Sequence, residues 1–452
     1  MTKTAVTKTI ENAIVWDGAD RVTRATITID GDRITDVAES PPGERRPRGE
    51  RIDATGKLAI PGLINAHTHA YSALARGMAI PGFAPRSFTQ ILEQFWWRLD
   101  KALDPASVRA SSVVAAMDAA RCGVTTVIDH HASPSCIPGS LDVLRDAVCD
   151  TVGLRAALAY EVTDRDGSDR TRQGIEENGR FLAAARTSAG RFAAHFGLHA
   201  AFTLSDETLA LVAARIPSDA GVHIHVAEGP EDEALSMERH GIRVIERLDR
   251  FGLLRPTSIL AHVLHLDDGE KDRVAERNVA VVHNPRSNMN NAVGTFDLDG
   301  YLRRGVVTGL GTDGLGSNLL TELFTAGLLQ KHARQDPLAG GFSDLHKLLF
   351  VNNPEIAERA FGLKFGRIAP GYPADIALID YEPPTALDAD TILGHLLFGV
   401  AVHALRVSDL FVAGQPVLRG GTFVHVDEGA ELAHAREQAA LLWTRTREGG
   451  AP

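Results

Sequence analysis

The chain has 452 residues, 44% hydrophobic and 23% charged, enough to bury one large core or two. A formal net charge of -11 with no lysine-rich run excludes a nucleic-acid partner, and the absence of any apolar run of about 18 residues excludes a membrane helix. Three cysteines (Cys122, Cys136, Cys149) offer no disulfide framework and the start has no leader-like apolar run, so a reducing cytoplasm is the expected compartment.

Short strands open the chain: TIENAIVW, then ATITIDGDRITDVAE, where Asp30-Gly31 is the signature of a hairpin turn. A Pro/Arg/Gly-rich loop, PPGERRPRGE, follows. The far end has the same grammar in GRIAPGYPADIALID and VSDLFVAGQPVLRGGTFV. Neither terminal piece has a core of its own, so one small β-sandwich built from residues 1–58 and 366–452, with a C-terminal helix, is expected.

Between them, over residues 59–365, the pattern becomes strand then helix. Expected strands are LAIPGLINAH, VTTVIDHH, LRAALAYEV, RFAAHFGLHA, GVHIHVAE, TSILAHVLHL, VAVVHN and VVTGLGTDG. Helices such as PASVRASSVVAAMDAAR and SDETLALVAARIP separate them. Eight near-continuously apolar strands with helical connections predict an α/β fold, a (β/α)8 TIM-like barrel. A doubly wound sheet is the alternative, weakened by the lack of a G-x-G-x-x-G loop after any strand.

Nearly every expected strand ends in polar chemistry. The first delivers His67 and His69, the second Asp129, His130 and His131, the third Tyr160 and Glu161, and the fourth His195 and His199. The fifth carries His223, His225 and then Glu228; His262 and His265 follow, then His283 and Asn284, and last Asp313. Packing alone would explain any one of these histidines. A barrel brings all the strand ends to one mouth, and that makes them a constellation.

Residues i and i+2 of a strand share a face, so His67 and His69 can reach one ion. His225 and Asp313 complete a set of three nitrogens and an oxygen that suits one divalent metal, Zn2+ first and Fe2+ as the alternative. Such a metal lowers the pKa of a water, and Asp313 can accept that water's proton. Glu228 can protonate a leaving or ring nitrogen, His262 can orient the nucleophile or stabilise developing charge, and His199 can hold substrate. Tyr71, Arg76 and Asn284 are further candidates for substrate contact. His223 shares parity with His225 and is expected one layer deeper, as a hydrogen-bonded neighbour. The segment IPGFAPRSFTQILEQFWWRLDKALD is rich in large side chains that can cover the mouth, line it, or pack a helix onto the barrel.

PGLINAHTH, HVAE, HNPRSN, GTDG and APGYPADIALID together resemble the signatures of the amidohydrolase superfamily over nearly the whole chain. The likeness is to its deaminase/chlorohydrolase branch, and HTHAYSALARGM and AYEVTDRDG are similar to SsnA-type aminohydrolases. The resemblance implies one metal on His67, His69, His225 and Asp313, with Glu228 shuttling a proton, His262 helping to activate water and His199 on the substrate. It implies hydrolytic deamination of a purine-, pyrimidine- or triazine-like heterocycle, a purine-derived one in particular, and at least a homodimer. Ring opening of a cyclic amide and dechlorination are the alternative reactions, and a catalytically silent scaffold is the alternative class. No lysine occurs between Lys101 and Lys271, so the fourth strand supplies no bridging lysine for a second metal. Around His199 the chain reads GLHAAFTLS rather than the Pro-His-Ala/Ser-Pro-Tyr type segment of many relatives, which puts the substrate-facing surface in question more than the metal site.

Overall fold

A computed structural model describes residues 7–39, 49–403 and 405–449. Most of the Pro/Arg/Gly-rich loop falls outside these. Eight parallel strands form the barrel: β1 (Leu63–Thr68), β2 (Val124–His131), β3 (Arg155–Tyr160), β4 (Phe196–Ala200), β5 (Val222–Val226), β6 (Ile259–His262), β7 (Ala280–His283) and β8 (Thr308–Leu310). β1–β2–β3 and β4–β5–β6–β7–β8 are each hydrogen-bonded in sequence order. Two single parallel bridges, Val162 to Leu198 and Thr68 to Asp313, join the two arcs.

The strands form here because both of their faces are covered. All eight residues of β2 and all six of β3 are buried, as parallel strands under helices must be. The connecting helix Pro105–Arg121 begins at an Asp104 capping box with proline in its first turn, and Asp206–Arg215 begins at Ser205, whose hydroxyl accepts from the Thr208 N–H. The expected fourth strand is broken: a short strand, Phe192–Ala194, pairs with β3, and β4 resumes at Phe196 beyond His195. The expected sixth strand ends at His262, where His262 (φ 75°) and Val263 (φ 46°) turn into the left-handed region and take His265 off the strand.

A nine-stranded sheet is drawn from both ends of the chain. Lys8–Trp16 lies between Val22–Asp30 and Lys57–Pro61, and the latter pairs with Ile376–Asp380, which pairs in turn with Val407–Val412. An Arg33–Pro373 bridge brings the Asp30-Gly31 hairpin to the C-terminal half. Ile10, Ile27, Ile29, Ile376, Leu378 and Phe411 share a core distinct from that of the barrel. The passage between the two bodies is Gly62, where a Cβ would stand 2.3 Å from the Thr125 side chain. The last helix, Glu428–Glu448, lies on the barrel rather than on the sheet. Glu431 pairs with Arg109, Glu428 with Arg121, and the Trp443 indole donates to the Leu74 carbonyl at 2.7 Å. No helix among the described residues is long and apolar enough to cross a membrane.

Candidate active site

The C-terminal strand ends converge on a cluster of imidazoles. His69 Nδ1 donates to the His130 carbonyl at 2.6 Å, and His225 Nδ1 donates to the His199 carbonyl at 2.8 Å. With those protons committed, both rings turn their Nε2 atoms inward, and these stand 3.2 Å apart. Asp313 Oδ1 lies 3.2 Å from His69 Nε2 and 4.0 Å from His67 Nε2. The His67 ring is fully buried with its Nε2 unpartnered, and its Nδ1 lies 2.9 Å from His223 Nε2.

A tetrahedral zinc site with bonds of about 2.0–2.1 Å has ligand–ligand edges of about 3.3 Å. The two 3.2 Å spacings at His69 fit that geometry, the 4.0 Å from His67 to Asp313 is longer, and an unpartnered buried nitrogen such as His67 Nε2 beside a carboxylate is what a cation satisfies. Burial opposes charge on His69, yet its hydrogen bond to Asp313 and that carboxylate's charge hold it up at about 9. Burial also raises Asp313, but His69 overrides it and keeps the carboxyl well below its usual range. The cluster therefore calls for positive charge and suits one divalent metal: ligand atoms of His67, His69, His130 and His225 lie within 4.8 Å of one another, as do those of His67, His262 and Asp313. His223 serves as the hydrogen-bonded neighbour that orients His67.

Backbone strain gathers around this cluster. Ala227, His262, Val263 and Asp313 all have positive φ at the ends of β5, β6 and β8. Non-glycine residues are held this way only where the surroundings over-determine them, and such positions concentrate at functional sites.

One short helix, Pro285–Asn290, reaches three of the reactive groups. Ser287 donates to Asp313 Oδ2 at 2.6 Å, the Asn288 side-chain Oδ1 accepts from His262 Nδ1 at 2.8 Å, and Asn291, just beyond, donates to Glu228 Oε1 at 3.2 Å. His262 consequently points Nε2 between Glu228 Oε2 at 3.4 Å and Asp313 Oδ2 at 3.7 Å. Burial pushes the Glu228 carboxyl up to about 7, against the lowering effect of His262.

The adjoining pocket is walled by Phe88, Leu92, Trp96, Trp97 and Phe202, with Tyr71, His199 and Glu228 among its polar lining. Phe88–Ala102 runs as one helix with a wide turn at Leu92–Trp96, so the aromatic segment forms part of the wall. His199 Nδ1 is hydrogen-bonded to Thr203 at 3.0 Å and its ring is edge-on to Trp97.

Two residues expected at the substrate do not line this pocket. Arg76 points to solvent and pairs with Asp118, because the turn after His69 carries it past the mouth. Asn284 is fully buried beneath the strand ends, its side chain against Gly311. His265 donates to the Val293 carbonyl, and His283 stacks on Phe296 in the core. Conversely, His130 joins His67, His69 and His225 in the inward cluster, stacked on His223 with ring centroids 4.4 Å apart. Glu161 sits 3.3 Å from His69 Nδ1 and 3.5 Å from His130 Nδ1, its carboxyl raised to about 7 by burial. The Asp129-His130-His131 run was the only sequence signal for His130.

The amidohydrolase family model matches residues 58–417. The chain belongs to the amidohydrolase family. It is similar to the 5'-deoxyadenosine deaminase of Methanosarcina mazei, 31% identical over 96% of this chain and 98% of the relative. It is also similar to the 5-methylthioadenosine/S-adenosylhomocysteine deaminase of Pyrococcus furiosus, 31% identical over 93% of this chain and 97% of that one. Among solved structures, an adenosine deaminase from Xanthomonas campestris with bound zinc superposes with a TM-score of 0.83 at 25% identity, covering 97% and 98% of the two chains. The zinc complex of atrazine chlorohydrolase from Arthrobacter aurescens shares the fold, with a TM-score of 0.79 at 23% identity over 96% and 100%. As an amidohydrolase with this ligand cluster, the protein is a metal-dependent hydrolase of C–N bonds.

Proposed function

We propose that the protein hydrolytically deaminates an amino-substituted N-heterocycle of the purine type, converting a ring C–NH2 to C=O with release of ammonia. The observation that carries this reading is the placement of Glu228 and Asp313 on either side of His262 Nε2, at the edge of an aromatic-walled pocket. His67, His69, His225 and Asp313 would hold a divalent ion, which would supply a water of lowered pKa. Asp313 is placed to take the proton that this water loses as its oxygen adds to the ring carbon. Protonated Glu228 gives its proton to the adjacent ring nitrogen, so the C=N electron pair has somewhere to go. His262, its Nδ1–H tied to Asn288, offers Nε2 to the attacking water and fixes its approach. The proton on Asp313 then passes to the departing amine, the added hydroxyl returns its remaining proton to Glu228 as the C=O forms, and ammonia leaves. Trp96, Trp97, Phe88 and Phe202 supply flat apolar surface for a ring system and keep bulk water from the reacting carbon.

The purine assignment draws on the relatives named for deamination of adenine nucleosides. The SsnA-type likeness of HTHAYSALARGM and AYEVTDRDG supports the same class. A homodimer in the cytoplasm is part of this proposal, on the strength of the family likeness. The test is a screen of aminopurines, their nucleosides, aminopyrimidines and triazines with zinc-loaded enzyme, read by ammonia release and by the ultraviolet shift of the ring. Loss of ring absorbance without ammonia identifies ring opening, and chloride release identifies dechlorination; either result replaces the deaminase reading.

A further inference from the structure

The charge on the pocket wall is one-sided. Asp100, Glu161, Glu228, Glu231, Asp232 and Asp313 all line it, and no lysine or arginine does so among the described residues. Asp100, Glu231 and Asp232 make no bond to the His/Asp cluster. Asp232 accepts from the N–H groups of Phe202 and Ala227 at 3.0 and 2.8 Å, and is thereby fixed. Asp100 pairs with Arg165 at 3.2 Å. Arg165 is not among the lining residues: its Nη2 donates to Asp100, its guanidinium carbon is 4.5 Å from the centre of a Trp97 ring, and its Nη1 is buried without a partner. Asp100 Oδ1 and Glu231 Oε2 are both buried without a hydrogen-bond partner, and of these three carboxylates Glu231 alone has neither a side-chain hydrogen bond nor an ion pair among the described residues. Glu231 Oε2 lies over Gly229, where a Cβ would come within 2.4 Å of it and within 2.9 Å of the Phe88 ring.

We propose that this wall selects neutral or cationic substrates and excludes those bearing a phosphate or carboxylate away from the reacting ring, with Glu231 as the specificity-determining residue. A distal anion entering here would give up its hydration and meet no lysine or arginine on the wall, while facing carboxylates across a medium of low dielectric. A hydroxyl or ammonium group instead donates to Glu231 Oε2, and the aromatic faces favour a cation over an anion. The inference rests on the deaminase reading only for the identity of the reacting end, because selection by charge is a property of the wall.

The test compares adenosine, its cationic 5'-amino-5'-deoxy analogue and adenosine 5'-monophosphate. Each is titrated into zinc-loaded protein and followed by tryptophan fluorescence at low salt, with ammonia release measured alongside. The 5'-phosphate should bind about a hundredfold more weakly than the nucleoside, and the gap should shrink in about 1 M salt. Glu231→Gln should narrow the difference and Glu231→Lys should narrow it further, with thermal unfolding showing that each variant is folded. Affinities of nucleoside and 5'-phosphate within about threefold of each other would overturn the proposal, since repulsion of this kind is worth more than that. Selection without ammonia leaves this inference standing and removes the deaminase reading; ammonia without selection does the reverse. Failure of all three ligands to bind overturns both.

Discussion

His69 Nε2 and His225 Nε2 face each other at 3.2 Å, each on a ring whose Nδ1 proton is already given to a backbone carbonyl. Two nitrogens so placed need a proton or a metal ion between them. The purified protein, expressed with metal in supply, is therefore expected to carry about one equivalent of zinc or iron by elemental analysis. His225→Ala should reduce its affinity for the ion by at least about 10- to 100-fold, since losing a ligand costs no less than losing a residue that orients one. Chelation should abolish turnover, and restoring zinc should recover it. A fully active protein with no bound transition metal would contradict the assignment.

Glu228→Gln keeps the size and the Asn291 contact of the side chain but removes its transferable proton. The expected outcome is a loss of about 10²- to 10⁴-fold in kcat with metal content unchanged. Comparing kcat with KM separates this from a binding defect: a proton-transfer residue lowers kcat, whereas a substrate contact would raise KM.

The same carboxyl sets an expected pH limb. Burial raises Glu228 to about 7, and the form that donates to a ring nitrogen is the protonated one. Below that value the donor is present; above it the donor is lost, so log kcat/KM should fall with a slope near -1 as pH rises through about 7. A steady-state pH profile measures this. The residual activity of Glu228→Gln should lack the limb, and a limb that persisted in the variant would belong to another group.

The histidines that the sequence made legible are those for which strand parity and the end of a strand coincide. His67 and His69 are one residue apart where β1 runs out, and Asp313 follows β8 in a glycine-flanked turn. His130 was not legible as part of the cluster because every residue of β2 is buried, so alternation does not distinguish its barrel face from its helix face. Arg76 was misread because a charged residue near a ligand pair suggests a contact, while the turn at Ala70–Ala75 decides its direction. Asn284 follows His283 directly, but its side chain is buried against Gly311 rather than turned to the pocket. The sheet built from both ends was legible from matching Gly/Pro-punctuated alternation. The docking of the last helix on the barrel was not, because its partners Arg109 and Arg121 lie more than three hundred residues earlier.

The seam between β1 and β8 gives a prediction about stability. These strands meet by the Thr68–Asp313 bridge, by the Thr312 and Asp313 N–H groups donating to the His67 carbonyl at 3.0 Å each, and by a reciprocal pair in which the Asn65 amide donates to the Thr312 hydroxyl at 2.8 Å and its oxygen accepts from the Thr312 N–H at 3.2 Å. Asn353, fully buried at the start of the helix Asn353–Phe361, spans the rest. Its amide donates to the carbonyls of Ile64 at 2.6 Å and Leu310 at 2.8 Å, and its oxygen accepts from the Leu310 N–H at 2.7 Å. Asn353→Ala leaves those backbone groups buried and unpaired, an expected loss of about 2–4 kcal/mol in unfolding free energy. His67 lies on β1 and Asp313 just past β8, so loosening the seam separates two metal ligands and should weaken zinc binding as well as lower Tm. Denaturant unfolding and zinc titration of the same variant test both effects. A drop in Tm with unchanged zinc affinity would show that the ligand cluster is held by the other strands alone.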